Sequence, residues 1–309
     1  MREINVLGVP QVEETIVPAI PYMGSKRKLA NKILNAIYQT IGDFDTLYDL
    51  FGGGGAMSIA GLRAGHSVFY NEKNQSVAEL LKYIQIGNKL PNRWITREEY
   101  KEKISGNDWF AGFLQTCWSF GNNSEKGYLF GADVEPLKRL AHDLCVNKSE
   151  IVRAELSAML GIDLPIPENA KDLSSFLRTK NIHFQMQHLE RLQHLEQLER
   201  LNISCGSYDE IKIKNGAVIY CDPPYAGTAK YKEGAFNHVA FWQWCRTQNN
   251  PVFVSEYNAP DDFKIVAEFK HRSTLSATNN AKVTIEKVYW NGRSLQRVNN
   301  RVWRINNDD

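Results

Sequence analysis

Cysteine is scarce and scattered in this chain. Five occur in 309 residues, Cys117, Cys145, Cys205, Cys221 and Cys245, an odd number at wide spacings with no C-x-x-C pair. That pattern excludes a disulfide framework and a zinc-finger-type site, and reduced, mostly buried thiols are expected, Cys221 as a strand residue turned away from its neighbour Asp222. Long apolar runs are missing too: nothing approaches the roughly 20 residues that span a bilayer. The opening MREINVLGVPQVEETIVPAI lacks the basic start and apolar block of a secretory leader, so no membrane association is expected and a cytoplasmic protein is. Charge of one sign is not in excess either; the net is +2, so bulk charge selects no polyanionic partner. Internal repeats and low-complexity tracts are absent.

What remains is an ordinary globular composition, 43% hydrophobic and 23% charged, in a chain long enough for one large domain or two ordinary ones. Apolar periodicity predicts a helix over 25–40 with Ser25 as its cap, a strand over 46–51, a helix over 56–65, a strand over 67–70 and a helix over 75–87. Alternation of strand and helix is the opening of a parallel sheet. From about 88 to 180 the pattern turns helical and irregular, with loops such as ISGNDWFAG and SFGNNSEKGYLFG. A packed helix is expected over 182–201, its leucines at a three-residue step that does not suit a coiled coil. Strand-like segments then return: LNISCGSY, AVIYCD, PVFVSEY and VTIEKVYW. The expected architecture is a discontinuous α/β domain, 1–87 with 203–309, interrupted by a mainly helical insert, 88–202.

Two loops in that sheet carry chemistry. DLFGGGGAMS sets four glycines, 52–55, between a strand and a helix, where the chain turns sharply, a ligand can come close and helix N–H groups are free. The loop fits neither G-x-G-x-x-G nor G-x-x-x-x-G-K-[ST], so it suits a nucleoside-type ligand without a pyrophosphate. Glu72 follows about 20 residues on at a strand end, where an acid can take both ribose hydroxyls. The second loop is VIYCDPPY: a buried strand that stops on Asp222 with Pro223 and Pro224 locking the turn, which directs the acid to where open α/β sheets bind ligands. Local charge adds a third feature. Residues 264–304 hold nine Lys and Arg against two acids, and Lys26-Arg27-Lys28 forms a second cluster, both suited to a polyanion.

Taken in order, these stretches resemble the adenine-specific DNA methyltransferases of the Dam type. PYMGSKRKL (21–29) resembles that family's N-terminal cofactor motif, DLFGGGG (49–55) its glycine loop, YNEKN (70–74) its ribose motif, AVIYCDPPY (217–225) its catalytic motif and, less sharply, CGSYDEI (205–211) its adenine-side cofactor motif. The resemblance covers roughly 20–85 and 203–290 and is poor in the insert.

The resemblance implies a Rossmann-like methyltransferase sheet with helices on both faces, S-adenosylmethionine as cofactor, no metal, and double-stranded DNA as partner. The setting it implies is the cytoplasm of a bacterial cell or phage-infected host. It also leaves room for a cognate restriction endonuclease. It assigns Tyr22, Gly24, Lys26, Asp49, Phe51, Gly53, Gly55, Glu72, Ser207, Tyr208 and Asp222 to the cofactor. Asp222, Pro223, Pro224 and Tyr225 go to catalysis: a carboxylate and a carbonyl accept the two N6–H bonds of a flipped-out adenine, and the tyrosine stacks on the base. In the insert, the polar loop GNNSEKGY offers Asn122, Asn123, Lys126 and Tyr128 for base readout, with Lys26 and the C-terminal basic strip for phosphates. Other readings stand beside this one: a dinucleotide-dependent oxidoreductase, a catalytically silent DNA-binding relative, or methylation of RNA adenine, cytosine N4 or a protein amide. Many relatives recognise GATC, but the target of this chain is not legible, nor is its oligomeric state.

Overall fold

The computed structural model describes residues 3–4, 9–122, 127–166, 192, 197–225, 236–272 and 283–295. Most of the helix predicted over 182–201, the tip of the insert loop and much of the basic strip lie outside the described residues.

A small antiparallel pair, β1 (Glu3–Ile4) and β2 (Pro10–Gln11), precedes α1 (Ala30–Ile41). Then follow β3 (Thr46–Asp49), α2 (Ala56–Arg63), β4 (Ser67–Glu72), α3 (Gln75–Gln85), α4 (Arg97–Lys103), α5 (Trp109–Cys117), α6 (Glu135–Asn147), α7 (Glu150–Leu160), β5 (Asn202–Cys205), β6 (Val218–Cys221), α8 (His238–Thr247), β7 (Val252–Glu256), β8 (Lys264–Arg272) and β9 (Val283–Trp290). Seven strands make one sheet in the order β5-β4-β3-β6-β7-β9-β8. The first five run parallel, and β9 slots antiparallel between β7 and β8. The strand order turns outward in both directions from between β3 and β6, which makes their carboxyl ends the crevice of a doubly wound sheet.

The two-residue alternation of the strands divides the core. Leu47, Val68, Tyr70, Val218, Tyr220, Phe253 and Val288 face a cluster shared with α1, α2, α3 and α5, whereas Tyr48, Ile219, Cys221, Val252, Val254 and Tyr289 face α8 through Phe241, Trp242 and Cys245. Helices therefore cover both faces, as expected. From the insert, Trp94, Tyr100, Phe113, Trp118, Tyr128 and Phe130 join the first cluster, and α6 with α7 encloses a small one of its own, Ala141, Leu144, Leu156 and Leu164. Local capping fits the sequence: Asn74, Thr96, Asp108 and Asn237 each accept a backbone N–H at the start of α3, α4, α5 and α8.

Two expectations need correction. The first helix begins at Ala30, not Ser25; Leu29 is its N-cap without a side-chain bond, and Ser25 caps nothing. Residues 22–29 are turns instead, because Val17 N–H bonds Arg27 O at 3.0 Å and Ser25 N–H bonds Tyr22 O at 3.2 Å. The strand predicted to reach Phe51 stops at Asp49, since Gly52 N–H turns across to Asn71 O at 2.8 Å. The sequence reading also missed β8 and α8, whose mixed polar faces obscured both periods.

Gly112 lets α5 sit directly against α3: a Cβ there would lie 2.0 Å from Ser76 O. We expect Gly112→Ala to lose about 1–3 kcal/mol or more in urea unfolding, because backbone on both sides cannot give way. Gly131→Ala, with nothing within 4 Å, should stay within about 0.5 kcal/mol.

Candidate active site

The crevice is built from four loop ends. After β3, the glycine loop is clasped by the N-terminal segment. Ile20 N–H donates to Gly54 O at 2.9 Å, and a Cβ on Gly54 would meet Ile20 O at 2.4 Å. The Tyr22 ring covers Gly53, whose φ of +48° and 3.0 Å clearance leave no room for a side chain. Gly55 starts α2 in the left-handed region, without a cap of its own. Asp49 supplies the cap from the strand: its Oδ2 accepts Ser58 N–H at 3.0 Å and Ser58 Oγ–H at 2.7 Å. Burial raises the Asp49 carboxyl from 3.8 to about 7; the Ser58 bonds oppose the rise, and Asp222 and Glu72 add to it.

Glu72, at the end of β4, is fixed by the same loop. Gly53 N–H donates to its Oε2 and Asn74 N–H to its Oε1, both at 2.8 Å. Opposite stands an aromatic wall: Phe51 stacks on Tyr208 with ring centres 5.3 Å apart and meets Phe236 edge-on at 5.8 Å. Tyr208 is placed there by a capping box of Ser207 and Glu210, with Asn71 Nδ2–H donating to Gly206 O at 3.0 Å to tie that turn to β4. The Ser207 hydroxyl also bonds Asp209. Cys221 turns into the α8 side of the core, as expected.

Asp222 follows β6, its side chain 20% exposed. Lys26 Nζ lies 2.8 Å from its Oδ2, 3.4 Å from Glu286 Oε1 on β9, 3.3 Å from Gly24 O, and 5.0 Å from the centre of the Tyr225 ring. Asp222 Oδ1 is buried with no hydrogen-bond partner among the described residues. Burial raises Asp222 to about 6; Lys26 and the Tyr225 hydroxyl pull it down, and Glu286 pushes it up. Burial lowers the Lys26 ammonium, but the two carboxylates outweigh this and leave it above its ordinary value. Tyr225 meets Tyr257 edge-on at 4.7 Å. Pro223 is buried and Pro224 half-buried.

Two expected nucleic-acid residues sit elsewhere. Tyr128 is buried in the core, its hydroxyl donating to Ile95 O at 2.6 Å, and Asn122 turns its amide back onto Thr116 O. Lys26, 7% exposed between two carboxylates, is occupied by them and cannot serve a phosphate on the surface. Asn123 and Lys126 lie outside the described residues. Glu286 was missed by the sequence reading. The signal was an acid sharing a strand face with Val288, but nothing linked it to Lys26. Among the described residues, no three His, Cys, Asp or Glu side chains cluster as metal ligands, and no helix is long and apolar enough to cross a membrane.

The model of the D12 class N6 adenine-specific DNA methyltransferases matches residues 22–110 and 170–249, more than half of the chain. The chain belongs to that family. The matched spans hold the glycine loop, Glu72 and Asp222; Glu286 lies beyond them. The D12-class chain is also 24% identical over 241 residues to Modification methylase StsI from Streptococcus sanguinis, an alignment covering 75% of the chain and 32% of that relative. It thus spans about a third of the relative's length. A solved structure from Pyrococcus horikoshii, PH1948, described as a "putative RNA methyltransferase", matches 87% of the chain and 84% of its own at 8% identity and a TM-score of 0.36. That likeness is too slight to bear on function.

The Asp49 geometry predicts a pH effect. A carboxyl raised on folding lowers stability as pH climbs from its unfolded value, here from 3.8 to about 7. Asp49→Asn can still accept from Ser58 but cannot ionise. Its stability relative to wild type should therefore grow with pH across that window in thermal melts, and a constant difference would show that Asp49 is not the buried acid.

Proposed function

We propose that this D12-class chain is a site-specific methyltransferase acting on the exocyclic N6 of an adenine flipped out of duplex DNA. The observation that carries this reading is Asp222: a partly exposed carboxylate at the carboxyl end of β6 whose inner oxygen, Oδ1, is buried without a hydrogen bond among the described residues. A buried acceptor left open is expensive, and an amine N–H would fill it. Adenine N6 is a poor nucleophile because its lone pair is delocalised into the ring. A carboxylate that accepts its N–H favours the pyramidal amine and stabilises the positive charge that develops on nitrogen. The Pro223 carbonyl is assigned the second N–H, and Tyr225 the base face, where Pro223 and Pro224 hold the turn rigid.

The residues fit S-adenosylmethionine as cofactor, which when bound supplies an already activated methyl group. Glu72 would take the ribose hydroxyls, and the Phe51–Tyr208 wall beside Ser207 the adenine ring. Tyr22, Gly24, Asp49, Gly53 and Gly55 would hold the remaining chain. The carboxylates Asp49 and Glu72 beside the glycine loop suit a cationic ligand. Holding the amine, methyl and leaving group in line supplies much of the remaining rate.

We assign 88–202 to target recognition, with base readout from the 121–128 loop narrowed to Asn123 and Lys126. The basic strip after 264 is given the phosphates. A restriction endonuclease sharing the target site and a cytoplasmic setting are carried over from the family resemblance.

The test is transfer of labelled methyl from S-adenosylmethionine to duplex DNA or RNA, followed by digestion to nucleosides. Label in N6-methyladenine from DNA is expected; label only in RNA or protein would overturn the reading. Asp222→Ala should keep cofactor affinity by calorimetry while losing about 10²–10⁴ in transfer rate. Gly53→Val, which drives a side chain into Tyr22, should abolish cofactor binding itself.

A further inference from the structure

One buried acid is unused by that reading. Glu286 is 3% exposed in the middle of β9, on the strand face that also carries the core residue Val288. Its Oε1 lies 3.4 Å from Lys26 Nζ, whose other side meets Asp222 Oδ2 at 2.8 Å. Packing alone asks for an apolar residue at such a position, because a buried carboxylate is costly unless it is paired. Two carboxylates around one buried ammonium leave the group net negative, which packing does not require.

The chemistry of the preceding section does require something of this kind. The amine N–H goes to the open Oδ1, but Lys26 on Oδ2 draws negative charge away from it, so Asp222 accepts most strongly when that contact loosens. With one partner, that would strand a buried ammonium, the arrangement in which broken ion pairs are most destabilising. A second carboxylate on the far side removes the difficulty, since a small movement of Nζ exchanges one partner for the other.

We infer that Glu286 is a positioning residue that takes over Lys26 when Asp222 engages the adenine amine, so that the acceptor keeps its full charge while the ammonium stays paired. The inference rests on the reading of Asp222 given above. It carries a signature in pH. The charged and titratable groups around Asp222 are Lys26, Glu286, Tyr225, Tyr220, Asp49 and the neighbouring Cys221. Glu286 pushes Asp222 upward, so its neutralisation lets Asp222 ionise at lower pH even as transfer slows. A residue that merely supported β9 would cost stability and cofactor binding without moving the acid limb.

The experiment is single-turnover transfer to duplex DNA across the acid limb for wild type, Glu286→Gln and Glu286→Asp, with cofactor affinity by calorimetry. For Glu286→Gln we expect a plateau about tenfold to hundredfold lower, cofactor affinity within about threefold, and an acid limb shifted to lower pH. Glu286→Asp should recover part of the plateau with the limb unmoved. A Glu286→Gln enzyme with wild-type plateau and limb overturns the inference and leaves the functional reading intact. If Glu286→Gln does not fold, Glu286→Asp decides: a reduced plateau with an unmoved limb supports the role, and a wild-type plateau overturns it. A wild-type protein that methylates no DNA adenine overturns both readings.

Discussion

Everything at the crevice depends on the seating of the N-terminal segment against the glycine loop. The Ile20–Gly54 backbone bond and the Tyr22 ring over Gly53 fix the turns that follow, and those turns carry Lys26 to Asp222. No regular element does this. Helix α1 starts four residues later, so the lysine is delivered by a loop whose course is set by contact with another loop. Four carboxylates gather around this end of the sheet, Asp49, Glu72 and Glu286 buried and Asp222 partly exposed. Without the lysine in place their mutual repulsion would have no local counterweight.

Sheet geometry keeps the two characters of the crevice apart. Because successive residues of a strand point to opposite faces, Tyr220 and Glu286 look toward α1 with Lys26, while Cys221 and Tyr289 look toward α8. The aromatic wall of Phe51, Tyr208 and Phe236 belongs to the α8 side. A flat ring thus finds stacking partners on one side and charge on the other. The same alternation explains why Cys221, next in sequence to Asp222, is a buried core thiol.

Much of this was legible because it is local. A strand, four glycines and a helix; an acid closing the second strand; a strand ending in Asp-Pro-Pro-Tyr: each is written within ten residues, and each lies where its pattern said. What escaped the sequence was relational. The basic cluster at 26–28 reads as a surface for phosphates, yet Lys26 is interior because two acids about 200 and 260 positions away surround it. Tyr128 reads as an exposed loop residue, but its hydroxyl finds the Ile95 carbonyl and its ring the core. Glu286 sits in a strand that was recognised, and its role was invisible because no pattern along the chain ties a C-terminal acid to an N-terminal lysine. Strand β8 was missed because an edge strand alternates weakly and faces water.

The long interruption between β4 and β5 has a consequence for biogenesis. These neighbours pair in parallel register, with Ser204 reaching Tyr70 O across 134 residues of sequence. Strand β9 then wedges between β7 and β8 as the last to be synthesised. Such distant closures are slow, since loop entropy must be overcome before any contact rewards it. On a ribosome the half-sheet of β3 and β4 emerges first, with its glycine loop and Glu72 already linked, while the wall bearing Tyr208 and the acid on β9 follow much later. A nascent chain therefore holds one side of its crevice long before it can close the other.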